Sequence, residues 1–278
     1  MTSTVDPTEL EQWRGWIGRS EARTETLDAE ALRRYAAALG EDLDVERRQP
    51  SLAHWAFFLP VVAADRIGPD GHPMRGGFLP PVSLSRRMFG AAAMEFGDAL
   101  VLGKAATLTA TIADVRHKPG RSGDLVFVEV DREIAQDGVV KVRERQTIVY
   151  RPAGVPVAPI EETRLRVGEV DRVWRPGPVE LFRFSAVTFN SHRIHYDLPY
   201  AMDEEGYPGL VVHGPFTAAR LYGLAAEQAG APLRRFGFRA AAPLFANQPI
   251  LLSPGAEPGF VQAVRCDGTV AMTATAAS

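Results

Sequence analysis

The chain has 278 residues, of which 46% are hydrophobic, and a formal net charge of -3. Such a chain can bury a core in one or two domains and has no block of basic residues, so neither general disorder nor a nucleic-acid surface is favoured. Cys266 is the only cysteine, which excludes an internal disulfide and a multi-cysteine metal site and fits a reducing compartment.

The sequence also lacks the marks of a membrane protein. Residues 1–13 are polar and contain no hydrophobic core of a signal peptide. The longest apolar run, at residues 56–64, is interrupted by Pro60 and is too short to cross a bilayer. We therefore expect a cytoplasmic protein whose partners include neither membranes nor nucleic acids.

Two helices are expected near the start of the chain. Residues 7–17 have apolar side chains at the spacing of a short amphipathic helix. The next stretch, which ends at Leu39, repeats apolar residues at helical spacing more clearly. Thr26 or Asp28 can cap the start of this second helix, and Gly40 can end it.

A long loop follows these helices. Residues 65–81 are rich in glycine and proline. A loop of this length within a compact chain is usually functional or covers a site, and this one could shape a pocket. We expect a third helix after the loop, near residues 84–94.

The pattern then changes to that of strands. Three stretches alternate polar and apolar residues or are rich in β-branched residues, and they lie at 107–115, 125–130 and 139–150. The segments between them, 119–123 and Asp137-Gly138, have the composition of tight turns. The stretches predict an antiparallel meander, and the proline-rich residues 151–163 after it predict a linker.

The second half repeats this order of elements. A helix is expected at 179–187, then a loop rich in proline and glycine, and then a long helix at 215–229. Three or four strands are expected to close the chain, at residues 235–241, 248–252, 260–265 and 269–275. This recurrence predicts an internal duplication, with one repeat at 1–150 and the other at 164–278.

Each expected repeat places a long helix beside an antiparallel sheet, which is an α+β architecture. One such unit leaves a sheet edge exposed, and pairing two units edge to edge removes that edge. We therefore expect the duplicated chain to form one continuous sheet within itself.

Two polar segments of the second half carry a family resemblance. Residues 184–197 read Phe-Ser-Ala-Val-Thr-Phe-Asn-Ser-His-Arg-Ile-His-Tyr-Asp, and His213-Gly214 opens the expected long helix. Together they resemble the MaoC-like, or R-specific, enoyl-CoA hydratases, whose motif is Asp-x-Asn-Pro-x-His with a His-Gly at the head of the central helix. Three stretches of the first half resemble the type-2 hydroxyacyl-thioester dehydratases, a branch that includes bacterial mesaconyl-CoA hydratases. These stretches are 72–81, 86–88 and 146–151.

The resemblance implies a double-hotdog fold with the motif in the C-terminal repeat and a non-catalytic N-terminal repeat. It implies reversible addition of water to a 2-enoyl thioester, with no metal or redox cofactor. Asn190 stands at the family's aspartate position, and His192 and Arg193 stand at the Asn-Pro positions. The type-2 branch has the same asparagine, so we do not interpret Asn190 as a sign of lost activity, although an amide cannot act as a base.

The expected reaction defines roles for three residues. Hydration needs a base for the water, an acid for the α-carbon and donors for the enolate oxygen. His195 is the natural base, since the unperturbed pKa of histidine is about 6.5. Asn190 can orient the water by hydrogen bonding. Gly214 allows an oxygen to approach a helix N-terminus, so we expect its backbone N–H, or that of its neighbour, to bind the thioester oxygen.

Other residues are expected to support the substrate. His192 and His213 are placed at the substrate site, as second partners or packing groups rather than as catalytic groups. For the phosphates of CoA we favour Arg239 and one of Arg86 and Arg87, the latter two at the start of the expected third helix.

The same side chains also offer metal ligands. His192, His195 and Asp197 have suitable atoms, and His213 is a fourth candidate. The segment lacks the His-Glu-x-x-His pattern of a zinc helix, so we predict no metal. The structural alternative for His195 is a buried histidine bonded to a carbonyl, and for Asp197 it is a turn cap.

The sequence thus predicts a hydro-lyase that acts on a short or branched 2-enoyl-CoA, with mesaconyl- and itaconyl-type acyl groups among the candidates. A thioesterase on the same fold and a non-catalytic acyl-thioester-binding protein are the alternatives. The sequence leaves open whether the carrier is CoA or an acyl carrier protein, and whether the chain forms a homodimer.

Overall fold

The computed structural model describes residues 5–119, 123–163 and 165–278. Four α-helices occur in these residues: α1 (Pro7–Arg14), α2 (Ala29–Leu39), α3 (Pro178–Val187) and α4 (Gly214–Ala229). The strands of the described chain number ten: β1 (Ser20–Thr26), β2 (Arg86–Phe96), β3 (Ala105–Lys118), β4 (Leu125–Gln136), β5 (Val139–Arg151), β6 (Arg172–Trp174), β7 (Arg235–Ala240), β8 (Ile250–Pro254), β9 (Phe260–Val264) and β10 (Val270–Ala277).

All of these strands join one antiparallel sheet. Its order is β1-β3-β4-β5-β2-β7-β10-β9-β8-β6, so the second half repeats the order of the first half in mirror sequence. The two halves meet where β2 pairs with β7, from Ala91 opposite Arg239 to Glu95 opposite Arg235. The expected α+β class and the edge-to-edge pairing of two units are confirmed. The repeat boundaries at 1–150, 151–163 and 164–278 stay a prediction.

Local sequence determines the helix α2 closely. The carboxylate of Asp28 accepts the backbone N–H groups of Glu30 and Ala31, which otherwise have no partner within the helix. Gly40 ends the helix with φ 70°, a left-handed conformation that glycine adopts without steric cost. Between the two predicted caps, Asp28 is therefore the correct one.

The prediction of a third helix at 84–94 is wrong, because this segment is the strand β2. Its run of alanines favours a helix by propensity, but tertiary pairing overrides that preference. β2 pairs with β5 on one side and β7 on the other. Ala92 and Met94 are buried while Ala93 and Glu95 are exposed, which is the two-residue period of a strand.

The two halves consequently differ on the face that the helices cover. The second half packs α4 against β8, β9 and β10. In the described part of the first half no helix matches α4 in length, and a short 3-10 helix at Ala53–Ala56 lies there instead. It carries Trp55, whose ring meets Phe89 at 6.1 Å and Phe238 at 6.3 Å between centroids.

Two edge strands were missed by the sequence prediction, and most of the others were found. β1 is largely exposed and polar, and β6 has three residues, so neither shows an apolar alternation. The turn at Asp137-Gly138 is confirmed, with φ 49° and 75°, values typical of a two-residue hairpin turn. Of the other predicted turn, 119–123, residues 120–122 lie outside the described residues.

Among the described residues, no helix has both the length and the apolar character needed to cross a lipid bilayer.

The junction of the halves can be tested at Phe238, which is 4% exposed and packs against Phe89 at 5.5 Å between ring centroids. We expect Phe238→Ala to lower the free energy of unfolding by about 3–5 kcal/mol, because the cavity cannot close at a strand pairing. Urea denaturation measures the change. The neighbouring exposed residue provides the control, since Arg239→Ala should stay within about 0.5 kcal/mol of the parent. Equal effects of the two changes would contradict this packing.

Candidate active site

The motif segment begins with a sharp turn out of α3. Phe189 has φ 50°, an uncommon left-handed conformation for a bulky residue. The turn lets the backbone N–H of Asn190 donate to the carbonyl of Ser185 at 2.8 Å. The side chain Oδ1 of Asn190 accepts the backbone N–H of His192 at 3.0 Å. The Oδ1 atom of Asn190 therefore stabilises the backbone conformation of the motif.

His195 ends a 3-10 helix at Arg193–His195 and is buried, with 7% of its surface exposed. Its Nδ1 donates to the carbonyl oxygen of Val211 at 2.7 Å. This bond fixes the proton on Nδ1 and leaves the lone pair of Nε2 available. No described protein group bonds Nε2, and it is not among the fully buried polar atoms without a partner. Nε2 therefore faces accessible space, as a base requires.

Burial, with a smaller contribution from His72, lowers the pKa of His195 to about 4, although the bond to Val211 opposes the shift. The imidazole is thus neutral at physiological pH. A neutral ring with a free Nε2 can accept a proton.

His213 lies directly against His195. The two rings stack with centroids 3.6 Å apart and an interplanar angle of 21°. His213 is fully buried, and its Nε2 shares a hydrogen bond with Oγ of Ser185 at 2.8 Å. Burial, together with the neighbouring histidines, lowers the pKa of His213 well below its usual value, so this ring is neutral too. The structure brings His213 to the site as a support for His195.

Gly214 is the first residue of α4 and follows His213 immediately. The first N–H groups of a helix have no partner inside it, and Pro215 at the next position contributes no N–H. A Cβ added at Gly214 would meet the carbonyl of Phe89 at 3.6 Å and Cε of Met272 at 4.0 Å, which are ordinary contacts. Protein packing alone therefore does not require glycine here, whereas the close approach of a ligand oxygen would.

His192 is a second neighbour of His195. Their rings are perpendicular, with centroids 5.4 Å apart. The His192 ring also packs on His72 at 4.0 Å. Burial and the neighbouring imidazoles lower the pKa of His192 far below its ordinary value. Four of the six histidines in the sequence meet in this cluster.

The sequence prediction missed two residues of this cluster, Asp70 and His72, which belong to the first half. Nδ1 of His72 donates to Oδ2 of Asp70 at 3.0 Å, and the backbone N–H of His72 donates to Oδ1 at 2.9 Å. Burial raises the pKa of Asp70, but the bonds and charge of His72 and the charge of Arg87 outweigh it, so the carboxyl stays ionised. The glycine- and proline-rich composition marked this loop as functional, but it gave no sign of the partner segment.

The loop is pressed against the motif. The backbone N–H of Arg193 donates to the carbonyl of Asp70 at 2.9 Å, and Oγ of Ser191 donates to the carbonyl of Gly71. Gly71 has φ 88°, and a Cβ there would lie 1.8 Å from the carbonyl oxygen of Ser191. Only glycine permits this contact. The expectation that the loop lies at a site is therefore supported by its geometry.

The predicted arginines lie in three different environments. Arg86 is buried and bridges to Glu205, with Nε 3.0 Å from Oε2, and its guanidinium lies over the Tyr207 ring. The expected helix start at Arg86 and Arg87 is wrong, since both open the strand β2. Arg239 is exposed, whereas the preceding Phe238 is buried among the ring cluster, so Arg239 points to the other face of the sheet.

Arg87 is the arginine that the structure brings to the histidine cluster. It is half-buried and donates from Nη2 to the carbonyl of Pro73 at 3.4 Å. Its charge acts on Asp70, His72 and His192. No described carboxylate forms an ion pair with it, so its guanidinium is available to an incoming anion.

One set of described side chains has metal-site geometry. Asp70, His72 and His192 each offer one ligand atom, and these atoms lie within 4.8 Å of one another. The set that the sequence suggested is not assembled, because Asp197 forms an ion pair with Arg193 at 2.8 Å and accepts the backbone N–H of Tyr200 at 3.2 Å. Asp197 therefore caps a turn.

Known proteins resemble this chain over most of its length. The family model of hydroxyacyl-thioester dehydratase type 2 matches residues 52–246. A protein of Chloroflexus aurantiacus named mesaconyl-C(4)-CoA hydratase is 41% identical over 275 residues, covering 95% of this chain and 96% of the relative.

Solved structures agree on the fold. A MaoC-like dehydratase from Phytophthora capsici superimposes with a TM-score of 0.72 at 13% identity, covering 97% of both chains. A Mycobacterium tuberculosis protein described as having a double hotdog fold gives a TM-score of 0.51 at 11% identity, covering 94% of this chain and 95% of that one. The predicted double hotdog is confirmed, the chain is an enzyme of the hydratase and dehydratase class, and it belongs to the hydroxyacyl-thioester dehydratase type 2 family.

Proposed function

We propose that the enzyme adds water reversibly to a short or branched 2-enoyl-CoA, and that a dicarboxylic acyl group of the mesaconyl type is its substrate. The observation that carries the proposal is the geometry of His195, a neutral imidazole with one nitrogen tied to Val211 and the other facing accessible space. The name of the Chloroflexus relative supports the choice of acyl group.

The proposed roles follow from the positions of the groups. Nε2 of His195 takes a proton from the attacking water, and the free backbone N–H of Gly214 binds the thioester oxygen as negative charge develops on it. Asn190 contributes the amide nitrogen that its turn bond leaves unused. His192 and His213 keep the His195 ring in place. None of these roles requires a metal or a redox cofactor.

Arg87 is the proposed receptor for the free carboxylate of a dicarboxylic acyl group. It lies beside the histidine cluster and has no carboxylate partner in the described chain, and a guanidinium binds a carboxylate through two parallel hydrogen bonds. Arg86 is already engaged by Glu205 and keeps a structural role. Arg239 remains a proposed contact for a CoA phosphate on the far face of the sheet.

The proposal extends to the setting of the enzyme. We propose CoA as the carrier, a homodimer as the assembly and the cytoplasm as the location, the last supported by a single cysteine, which is buried. Activity with the pantetheine-linked acyl group of an acyl carrier protein, compared with that of CoA, tests the carrier.

The function itself is tested by mixing the protein with a panel of conjugated enoyl-CoA substrates. We expect the absorbance of the conjugated thioester to fall to a hydration equilibrium, fastest for the mesaconyl-type substrate. Release of free thiol would instead indicate a thioesterase, and binding without turnover would indicate an acyl-thioester-binding protein.

Removal of the base should slow the reaction strongly. We expect His195→Ala to lower kcat by about 10²–10⁴-fold, the contribution of a positioned proton-transfer group. The control is His117→Ala, which alters a histidine of the β3 strand that is paired with Asp124. Unchanged turnover in His195→Ala would exclude this histidine from the mechanism.

The pH profile of kcat/KM should report the lowered pKa of His195. The base acts in its neutral form, so the rate should fall as the pH decreases through about 4 and stay level near neutral pH. His192 and His213 are neutral near neutral pH, since burial lowers the pKa of each. An acidic limb centred near the ordinary histidine value of about 6.5 would contradict the assignment.

Arg87 should affect the choice of substrate more than the rate of the chemical step. We expect Arg87→Gln to lower kcat/KM for the dicarboxylic substrate by about 10–100-fold, the worth of a hydrogen bond to a charged group, and to change crotonyl-CoA hydration far less. Arg143→Gln is the control for loss of charge on the same sheet, since Arg143 is an exposed residue of β5 that pairs with Glu133. An equal loss with both substrates would show that Arg87 does not read the carboxylate.

A further inference from the structure

The motif segment accounts for one proton-transfer group and leaves a chemical gap. Hydration moves a proton from water to the α-carbon, so a group must take the proton and a group must deliver it. Asn190 cannot carry a proton, and Asp197 is bound to Arg193 and to the turn at Tyr200. His213 is fully buried beneath His195. Within the motif, His195 is thus the imidazole whose hydrogen bond fixes the proton on one ring nitrogen and leaves the other nitrogen free.

The loop of the first half contributes a second imidazole, that of His72, whose Nδ1 is also hydrogen-bonded to an oxygen. Both oxygens of Asp70 bond to His72, one through Nδ1–H and one through the backbone N–H. This arrangement fixes the tautomer of His72 and leaves its Nε2 free. The His72 side chain is 22% exposed, so the pair reaches accessible space. An ionised carboxylate behind the ring stabilises the imidazolium form when a proton arrives.

The position of His72 is fixed relative to His195. Gly71 fits against the carbonyl of Ser191 with no room for a side chain, and Arg193 binds the loop through its backbone N–H and through Nη1, which donates to the carbonyl of Pro69 at 3.0 Å. His192 lies between the two imidazoles, with its ring 4.0 Å from His72 and 5.4 Å from His195. The two accessible nitrogens therefore belong to one connected cluster.

We propose that His72 is a second catalytic residue, the group that delivers the proton to the α-carbon, and that Asp70 is its positioning residue. The active site is then shared between the two halves of the chain. This inference rests on the proposed hydration of an enoyl-CoA and extends it to the protonation step.

In the direction of hydration, one proton leaves the water and one proton is added to the α-carbon. The water oxygen bonds to the β-carbon while Nε2 of His195 takes a water proton, and the electron pair of the double bond moves onto the thioester oxygen. His195 returns its proton to the solvent, and His72, whose side chain is 22% exposed, takes a proton from the solvent at Nε2. Nε2 of His72 gives it to the α-carbon, the enolate electrons form the new C–H bond, and the C=O double bond returns. One water has been added, and all imidazoles are neutral again.

The test uses the full-length enzyme and two variants, His72→Ala and Asp70→Asn. We expect His72→Ala to lower kcat by about 10²-fold or more with KM changed little, and added imidazole to restore part of the rate. Asp70→Asn keeps the shape and the backbone contacts of the loop but removes the charge, so we expect a fall in kcat of about 10-fold or more at unchanged stability. If His72 had only a structural role, added imidazole would not restore the rate of His72→Ala.

A second readout isolates the proposed step. The 3-hydroxyacyl-CoA product in deuterated water should exchange its α-proton with the wild-type enzyme and not with His72→Ala. The matched control is His117→Ala, because His117 is also a carboxylate-paired imidazole of the first half, bonded to Asp124 at 2.8 Å. It should keep wild-type exchange and turnover.

The outcomes separate the two proposals. If the wild type hydrates an enoyl-CoA and both variants at 70 and 72 keep its kcat, the role of His72 is overturned and the hydration stands. If the wild type hydrates none of the panel, the proposed function is overturned, and this inference with it. Loss of wild-type activity to a chelator, with restoration by zinc, would assign Asp70, His72 and His192 to a metal and would also overturn the proton-transfer role.

Discussion

The site depends on holding His195 neutral and in one orientation. Its Nδ1–H is tied to the carbonyl of Val211, and its flat face is held by the ring of His213. Both constraints come from the segment that enters α4, so the helix start that presents the Gly214 N–H also sets the position of His195. The proposed base and the proposed oxyanion donor therefore share one support, and catalysis of this kind requires such precise positioning.

Several imidazoles can share a small volume only if they are uncharged. Burial lowers the pKa of His72, His192, His195 and His213, and it does so most directly because an imidazolium loses its hydration there. The ionised carboxylate of Asp70 supplies a negative charge at one end of the cluster. At His72 the hydrogen bond and charge of this carboxylate oppose the effect of burial on the pKa without outweighing it.

The sequence predicted the elements whose signals are local. The cap at Asp28, the stop at Gly40, the hairpin turn at Asp137-Gly138 and most strands depend on neighbouring residues, and they were found. β2 was mistaken for a helix because alanine-rich propensity is local and the two strands that override it are distant in the chain. The edge strand β1 has little apolar alternation to detect.

The difference between local signals and long-range contacts also explains which site residues the sequence predicted. The motif from Asn190 to His195 and the head of α4 lie within one region of the chain, and family resemblance marked them. Family resemblance also marked the stretch that begins at His72, but neither that resemblance nor the composition of the loop indicated that Asp70 and His72 lie at the motif. Its contact with the motif joins Gly71 to Ser191, residues 120 positions apart, and no local pattern encodes such a pairing.

The register of the β2–β7 pair positions the residues that the two halves contribute to the site. β2 carries Arg87 and Phe89 at its start, and the carbonyl of Phe89 lies beside Gly214 at the head of α4. The pairing of β2 with β7 begins just after the bulge between Phe89 and Ala91, so β2 reaches the site only beyond the regular ladder. A slip of one residue would turn the side chains of β2 to the opposite face and would remove Arg87 from the histidine cluster. In the described residues of the first half no helix matches α4 in length, and the long loop instead contacts the motif. The histidine cluster therefore combines a loop of the first half with the motif of the second half.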